Sequence, residues 1–251
     1  MHERAAVYCG TRNLYSEMVT AAKSLLYHNG ADKVYFMIED DEFQEPLPEC
    51  ITTINVSEQT VFRKNGPNYY QHWTYMALMR AAFTRYFPQY DKVLSLDCDT
   101  IVNNNIDGIW EYDLSGKYYA GVREMISGTQ DNQQYCNFGV IMLNLQQLRD
   151  GTEDKVIELL NTQHRYFPEQ EAFRDIVKND FVTLPPEYNA LWYSTGYVPF
   201  TAAKIIHYAN HPRAESNILY RKYARKSWDD VMKRKGDVQL SGQSRPCCGE
   251  S

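Results

Sequence analysis

The 251-residue sequence lacks three features that would assign it to a common class of protein. No apolar run approaches the roughly 18 residues that a membrane-spanning helix needs, and the segment MHERAAVYCG has neither the apolar core nor the cleavage site of a signal peptide. An excess of positive charge is lacking too, since the formal net charge is −6. These absences argue against an integral membrane protein, a secreted protein and a large electrostatic contact with nucleic acid, and they predict a cytoplasmic location.

The cysteines lack the spacing of a zinc site or of a small disulfide scaffold. Six of them are scattered at positions 9, 50, 98, 136, 247 and 248, and we expect mostly reduced thiols. The chain also has no internal repeat and no glycine-rich phosphate loop after its first predicted strand.

The composition is that of a globular α/β protein, with 43% hydrophobic and 23% charged residues. AAVYCG predicts a strand that ends at Gly10, SEMVTAAKSLLYHN a helix that stops before Gly30, and KVYFMIE a second strand. This βαβ unit implies a parallel sheet with a right-handed crossover. QHWTYMALMRAAFTRYF then predicts one long helix, and KVLSLD the strand that follows it. Further strands are expected in YYAGV, FGVIMLNL and AAKIIHYA, and helices in EDKVIELLNTQHRYF and EQEAFRDIVKN.

Two carboxylates follow the apolar run in KVLSLDCDTIV. In an extended chain Asp97 and Asp99 would point to one face about 7 Å apart, with Cys98 on the other face. Such a pair is tolerable when it is solvated, protonated or bridged by a cation, so a solvated acidic turn remains the alternative for an isolated D-x-D. Because open α/β sheets bind ligands at the carboxyl ends of their parallel strands, the position favours a site for Mg²⁺ or Mn²⁺.

Five ordered motifs together resemble the family 8 retaining glycosyltransferases, which include glycogenin and the bacterial lipopolysaccharide galactosyl- and glucosyltransferases. They are DKVLSLDCDTIV, IWEYDLSGKYYAGV, YCNFGVIMLNLQQLR, PEQEAF and the partial match HYANHPR, within a resemblance that runs from about residue 5 to 213. The resemblance implies a GT-A-type nucleotide-sugar-binding domain with a mixed, mostly parallel sheet flanked by helices. We expect this domain over residues 1–235 and a flexible C-terminal tail over 236–251, since that last stretch is polar and has no periodicity.

The resemblance implies a metal centre and a diphosphate site. Asp97 and Asp99 would hold Mn²⁺ or Mg²⁺ against the diphosphate of a UDP-sugar, with His207 as the third protein ligand. Arg213 stands where the family has a diphosphate-binding lysine, and either cation can neutralise a leaving phosphate. Asn210 replaces the family's glycine and residues 214–215 replace its Pro-Trp, so this loop departs from the family pattern.

The resemblance places three more residues around the nucleotide. Thr11 and Asn13, in the first βα turn, fall where the family contacts uracil and ribose, although polar residues in such a turn also serve as helix caps. Arg80 resembles the helix arginine that reaches the donor sugar near the D-x-D. Its alternative is an exposed cation on an amphipathic helix.

Asn137, Glu169 and Gln170 would lie beside the transferred sugar. The implied reaction moves a hexose from a UDP-sugar to an acceptor hydroxyl of a glycan, lipopolysaccharide or protein, with retention of configuration. Gln170 is a poor nucleophile, which favours front-face attack, whereas Glu169 and Glu171 keep double displacement open.

Two other functions compete with this prediction. A non-catalytic nucleotide-sugar or glycan-binding protein could share the fold, since fold alone does not confer activity. A nucleotidyltransferase could also use paired aspartates, but the glycine-rich loop is missing. The basic segment 213–235 is expected to be a solvated helix with a basic face, with contact to a membrane surface or an anionic acceptor as the alternative.

Overall fold

A seven-stranded mixed sheet is the centre of the fold. The computed structural model describes residues 3–70, 73–124, 136–191, 198–209 and 218–243. Its strands are β1 (Ala5–Cys9), β2 (Lys33–Ile38), β3 (Ile51–Asn55), β4 (Lys92–Leu96), β5 (Thr100–Val102), β6 (Tyr119–Arg123), β7 (Cys136–Asn144), β8 (Phe181–Thr183), β9 (Ala190–Leu191) and β10 (Ile205–His207). The large sheet has the order β3-β2-β1-β4-β7-β6-β8.

Most neighbouring strands of this sheet are parallel, as predicted. The pairs β1–β2, β2–β3, β1–β4 and β6–β8 are parallel, and β7 runs antiparallel to both β4 and β6. Because Leu96 at the end of β4 pairs with Val140 in the middle of β7, the first residues of β7 extend past the carboxyl end of β4. The antiparallel strand therefore contributes its own residues to the edge of the sheet where the D-x-D lies.

A small second sheet brings the late part of the chain to the same edge. It has the order β5-β10-β9, in which β5 and β10 are antiparallel and His207 pairs with Thr100. β5 begins directly after the D-x-D, so this pairing fixes His207 next to the two aspartates. The strands of this sheet are two or three residues long, too short for a side-chain period to be visible in the sequence.

Helices cover the large sheet. They are α1 (Tyr15–Tyr27), α2 (Thr74–Leu78), α3 (Phe83–Tyr86), α4 (Leu145–Leu148), α5 (Thr152–Thr162), α6 (Pro168–Val177), α7 (Ile218–Ala224) and α8 (Trp228–Gln243). One apolar core holds α1 against β1, β2 and β4, and another packs α2, α3, α5 and α6 against the sheet. Alternate residues of β1 belong to different cores: Ala6 and Tyr8 to the first, Ala5 and Val7 to the second.

The segment predicted as one helix over residues 71–87 is broken, which corrects that prediction. Residues 71 and 72 lie outside the described residues, and α2 and α3 are separated by a 3₁₀ turn, Met79–Ala82. The turn carries Arg80, whose side chain is 4% exposed. A short 3₁₀ stretch inside a helical segment often accompanies a functional site, and here it accompanies a buried cation.

The C-terminal part is helical further than its composition predicts. α8 runs to Gln243, so the predicted boundary at residue 235 falls inside a helix and residues 236–243 are not a tail. Residues 244–251 lie outside the described residues. Among the described helices, none combines the length and the apolar character needed to cross a bilayer.

Candidate active site

A cleft of about 510 Å³ opens at the carboxyl ends of β1 and β4. Parallel strands leave such a crevice where the strand order reverses direction, and here β1 and β4 are adjacent parallel strands. The sequence predicts ten site residues. Nine of them line the cleft: Thr11, Asn13, Arg80, Asp97, Asp99, Asn137, Glu169, Gln170 and His207. The tenth, Arg213, lies outside the described residues.

The D-x-D forms a turn rather than the extended segment that the sequence predicts. β4 ends at Leu96, and the carbonyl oxygen of Asp97 accepts hydrogen bonds from the backbone N–H (3.2 Å) and the hydroxyl (2.7 Å) of Thr100. The backbone N–H of Asp97 donates to Gly139 O at 2.8 Å. Both carboxylates still line the cleft, so the two aspartates remain close enough to share a cation although the segment is not extended.

His207 completes a group of three metal-ligand side chains. Its Nε2 lies 3.2 Å from Asp99 Oδ1 and 3.6 Å from Asp97 Oδ2. One ligand atom from each of the three residues falls within 4.8 Å of the others, a spacing that one ion can bridge. Two carboxylates and one imidazole on an open cleft suit a hard divalent ion such as Mn²⁺ or Mg²⁺ that keeps positions for phosphate oxygens.

The electrostatics of this group are those of a cation site. Burial by itself would raise the pKa of Asp99, but the charge and hydrogen bond of His207 outweigh it and lower the pKa. Burial likewise would lower the pKa of His207, and the charges of Asp99 and Asp97 raise it instead. Each carboxylate thus favours a positive charge at the position where the three side chains meet.

Arg80 is tied to two of the acidic residues of the cleft, Asp97 and Glu169. Its Nη2 donates to Asp97 Oδ1 at 2.5 Å, and its Nη1 donates to Phe138 O at 2.5 Å and lies 3.6 Å from Glu169 Oε1. The side chain is therefore a buried cation, and the alternative of an exposed surface arginine is wrong. Arg80 is also the only Lys or Arg among the described residues that line the cleft.

The residues expected beside the sugar are buried in the wall of the cleft. Gln170 Oε1 accepts from the backbone N–H of Phe138 at 3.1 Å, and Asn137 Oδ1 accepts from the backbone N–H of Gly139 at 2.9 Å. Glu169 is 7% exposed, and burial raises its pKa while the charge of Arg80 opposes that shift. The first turn of α6 and the start of β7 thus form one wall.

The first βα turn lies at the other side of the cleft. Thr11 precedes a 3₁₀ turn, Arg12–Leu14, but makes no side-chain capping bond there. Its hydroxyl instead donates to Asn13 Oδ1 at 2.6 Å, and both residues are at least partly exposed. The helix-cap alternative is therefore wrong for Thr11.

Two residues of the site carried no signal in the sequence. Glu124, which follows β6, lines the cleft and accepts from Asn137 Nδ2 at 3.2 Å. Asn189, which precedes β9, is 3% exposed and contacts His207 Nδ1 through its Oδ1 at 3.1 Å. Single polar residues without a repeating spacing are visible only once the chain is folded.

Comparison with known proteins agrees with the motif order. The family model described as glycosyl transferase family 8 matches residues 6–213. The glycosyltransferase GlyD of Streptococcus pneumoniae serotype 4 (strain TIGR4) is 28% identical over 210 residues, which cover 74% of this chain and 24% of GlyD. The chain therefore spans about a quarter of the length of that relative.

Solved structures show the same fold. The crystal structure of the glycosyltransferase GlyE from Streptococcus pneumoniae TIGR4 superposes with a TM-score of 0.71 at 20% identity, covering 100% of this chain and 66% of GlyE. The galactosyltransferase LgtC, solved in complex with donor and acceptor sugar analogs, gives 0.65 at 16% identity, covering 93% of this chain and 95% of LgtC. The architecture is that of the GT-A-type glycosyltransferases. With the family model matched over most of its length, the chain belongs to glycosyl transferase family 8.

Proposed function

We propose that this protein is a metal-dependent retaining glycosyltransferase that moves a hexose from a UDP-sugar to an acceptor hydroxyl. The observation that carries the proposal is the convergence of Asp97, Asp99 and His207 at the carboxyl end of β4, inside the cleft. Calorimetric titration with UDP tests it, with affinity expected in MnCl₂ and strongly reduced in excess chelator. Equal UDP affinity in both conditions would defeat the metal assignment.

The charges of the cleft explain why a diphosphate needs a cation here. Five carboxylates among the lining residues, those of Glu17, Asp97, Asp99, Glu124 and Glu169, would repel the donor. Arg80 offers little compensation, because it is already paired with Asp97 and Glu169. A bound Mn²⁺ or Mg²⁺ supplies the Lewis acidity that stabilises charge on a leaving diphosphate.

The remaining donor contacts follow from the positions of polar groups around this centre. Thr11 and Asn13 offer a hydroxyl and an amide on the exposed side of the cleft, where a uridine would bind. Arg80 would act on the donor indirectly, because its hydrogen bond holds Asp97 in a fixed orientation. Arg213 is proposed to add positive charge at the leaving diphosphate, where Arg213→Ala should lower kcat more than donor affinity.

The wall formed by Asn137, Glu169 and Gln170 would hold the transferred sugar. Glu169 lies beside Arg80, which binds it as a buried ion-pair partner and limits its freedom to attack an anomeric carbon. Glu171 is not among the lining residues and accepts from the backbone N–H of Phe167 at 3.4 Å. These contacts favour front-face attack, in which the acceptor hydroxyl reacts beside Gln170 and its proton passes to the leaving phosphate.

Exposed aromatic side chains support a glycan acceptor. Tyr70 is 80% exposed and Tyr166 is 73% exposed, and each lies close in sequence to an aromatic residue that lines the cleft, Trp73 and Phe167 respectively. We call these four residues the aromatic lip. Aromatic faces bind the apolar faces of sugars while the polar tip of a tyrosine remains in water.

The aromatic lip adjoins the wall that would hold the sugar. The rings of Trp73 and Phe167 are 6.0 Å apart, and Phe167 directly precedes α6, whose first turn carries Glu169 and Gln170. Asn68 accepts from the backbone N–H of Arg165 at 2.9 Å, which ties the two segments of the lip together. An acceptor bound on the lip would therefore approach the donor from the side of its sugar rather than its uridine.

The basic segment 213–235 is proposed as a peripheral contact with an anionic membrane surface. In its described part, α7, α8 and the turn between them expose Arg221, Lys222, Arg225, Lys233 and Arg234. Co-sedimentation with phosphatidylglycerol vesicles, but not with phosphatidylcholine vesicles, is the expected result. If the protein bound neither kind of vesicle, or bound both kinds equally, these cations would be assigned to ordinary solvation.

A further inference from the structure

We propose that Asn189 is a positioning residue that keeps a proton on Nδ1 of His207 and so leaves Nε2 as the atom that faces the metal. The inference rests on the proposed metal site. It concerns a chain of hydrogen bonds that begins at the backbone of β7 and ends at the imidazole, through Gly139, Asn137, Asn189 and His207. We call this chain the asparagine relay.

The backbone sets the direction of the relay. The N–H of Gly139 can only donate, and it donates to Asn137 Oδ1 at 2.9 Å. The other end of that amide, Nδ2, donates to Glu124 Oε2 at 3.2 Å. An ionised carboxylate can only accept hydrogen bonds. Both ends of the Asn137 amide are therefore assigned by partners that have no alternative role.

The same logic fixes the next amide. Asn189 Nδ2 lies 2.9 Å from Asn137 Oδ1, and since that oxygen is an acceptor, the Asn189 amide must point its NH₂ group toward Asn137. Its Oδ1 then faces His207 Nδ1 at 3.1 Å. A carbonyl oxygen cannot donate, so Nδ1 of His207 must carry the proton of this hydrogen bond.

The consequence appears at the opposite ring nitrogen. Nε2 points at Asp99 Oδ1 and Asp97 Oδ2, at 3.2 Å and 3.6 Å. With Nδ1 held by Asn189, Nε2 is the ring nitrogen that would be left to bind a metal ion between the aspartates. If the Asn189 amide were turned round, its Oδ1 would face Asn137 Oδ1, so that two acceptors would lie against each other. Its NH₂ group would then face His207 Nδ1, which could no longer be the donor of this hydrogen bond.

The relay is buried, which gives it a single geometry. Asn189 is 3% exposed and His207 is 2% exposed, and Asn189 ends the 3₁₀ turn Pro186–Asn189 immediately before β9. β9 pairs in parallel with β10, so Leu191 lies beside His207 and the asparagine is carried into contact with the ring. Groups that orient a metal-bound histidine typically change metal affinity by about 10- to 100-fold when they are removed.

Mn²⁺ affinity of Asn189 variants tests the proposal. Asn189→Ala should bind Mn²⁺ about 10- to 100-fold more weakly than wild type in calorimetric titration. Asn189→Asp should recover part of that affinity, because its carboxylate still accepts from Nδ1, although its second oxygen then faces Asn137 Oδ1 where the wild type has an amide donor. If Asn189 only held its loop in place through Asn137, the Ala and Asp variants would instead lose Mn²⁺ affinity equally.

A matched variant and a direct spectroscopic readout complete the experiment. Asn144→Ala removes another buried asparagine, at the other end of β7, with hydrogen bonds to Leu114 O and Lys117 O, and should leave Mn²⁺ affinity unchanged. In ¹⁵N-labelled wild type, assigned with His207→Gln, Nδ1 should show a protonated nitrogen with and without Mg²⁺. An unprotonated Nδ1, or full Mn²⁺ affinity in Asn189→Ala, would overturn the relay.

The two proposals can fail separately. If wild type bound no Mn²⁺, the metal-dependent function would be wrong, while the protonation of Nδ1 in the metal-free protein would still decide the relay. If Asn189→Ala did not fold, the Asn189→Asp variant and the wild-type spectrum would decide it.

Discussion

Gly139 lies directly against the imidazole of His207. A Cβ placed at residue 139 would lie 2.0 Å from His207 Cε1 and 2.4 Å from Nδ1, far inside van der Waals contact. Neither partner has room to retreat, because Gly139 O accepts from Asp97 N at 2.8 Å and His207 is held in β10. His207 can therefore reach Asp97 and Asp99 only because residue 139 has no side chain.

Gly139→Ala should therefore disrupt the metal site more than the fold. We expect Mn²⁺ affinity to fall by at least about tenfold, together with about 1–3 kcal/mol of unfolding free energy lost to overpacking. Calorimetric titration and chemical denaturation measure the two effects. Gly121→Ala on neighbouring β6, where the nearest atom would be 3.3 Å from the new Cβ, should retain Mn²⁺ affinity. Wild-type affinity in Gly139→Ala would contradict the role of this contact.

Gln170→Ala should reduce kcat by about 10- to 1,000-fold and leave Mn²⁺ and UDP affinity near wild type, the pattern expected when a polar group that stabilises the transition state is removed. The backbone N–H of Phe138 loses its acceptor, so a cost of about 1–3 kcal/mol in unfolding free energy is also expected. Steady-state kinetics and denaturation distinguish the two. A change in KM alone would assign Gln170 to ground-state binding.

Gln170→Glu tests the mechanism at the same position. A carboxylate there lies within reach of the anomeric carbon if the sugar is bound as proposed, so intact-mass analysis should detect a glycosyl adduct on residue 170. A kinetically competent adduct on Glu169 or Glu171 of the wild-type protein would replace front-face attack by double displacement.

Tyr166→Ala should raise the KM for a glycan acceptor and leave hydrolysis of the donor in water unchanged. The ring is 73% exposed, so its removal costs little stability, and it is expected to act only by stacking on the acceptor. UDP release is measured with and without octyl β-glycosides of glucose, galactose and N-acetylglucosamine. Phe200→Ala, which removes a 44% exposed ring that does not line the cleft, is the control. An unchanged acceptor KM in Tyr166→Ala would remove the aromatic lip from acceptor binding.

His28 should make the fold sensitive to mild acid. Burial, together with the charges of Lys222 and Arg234, lowers the pKa of His28 from 6.5 to about 4. Between these values the unfolded chain takes up a proton that the folded protein does not, so stability is full above pH 6.5 and falls as the pH drops toward 4. The loss is at most about 3 kcal/mol.

Denaturation at several pH values checks this dependence. His28→Gln can still bond to Tyr223 OH, which lies 2.8 Å from His28 Nε2, and it should lose less stability than wild type across this window. His164→Gln, at an exposed histidine, should follow wild type. Parallel pH curves for wild type and His28→Gln would contradict the assignment.

The sequence predicts the strands that carry the site better than it predicts their surroundings. β1 and β4 are largely apolar runs, followed within two residues by the polar Thr11 and Asp97 respectively, so both the sheet edge and the D-x-D could be found. Apolar and polar residues do not alternate clearly in the edge strand β3, ITTIN, so the sequence does not predict this strand. The break around Arg80 was also missed, because the segment has helical spacing and its interruption depends on contacts with Asp97 and Phe138.

The link that Asn189 makes between Asn137 and His207 could not be predicted from the sequence. Asn189 contacts Asn137 across 52 residues of sequence, and the asparagine has neither a motif nor a spacing that would indicate this contact. Gln170 and Glu169 were located by their motif, but their burial and their bonds to Phe138 N–H and Arg80 depend on how α6 packs beside β7. Motifs therefore indicate which residues act, whereas the fold determines which residues orient them.

The initial rate of UDP release from UDP-sugars, with and without Mn²⁺, tests the central claim most directly. UDP-glucose, UDP-galactose, UDP-N-acetylglucosamine and UDP-xylose are the donors, and Asp99→Asn is compared with Asp113→Asn, which alters an exposed carboxylate outside the cleft. The account predicts release from at least one donor that requires Mn²⁺, disappears in Asp99→Asn and persists in Asp113→Asn. Release at the same rate in excess chelator, or no release from any donor with Mn²⁺ present, would contradict it.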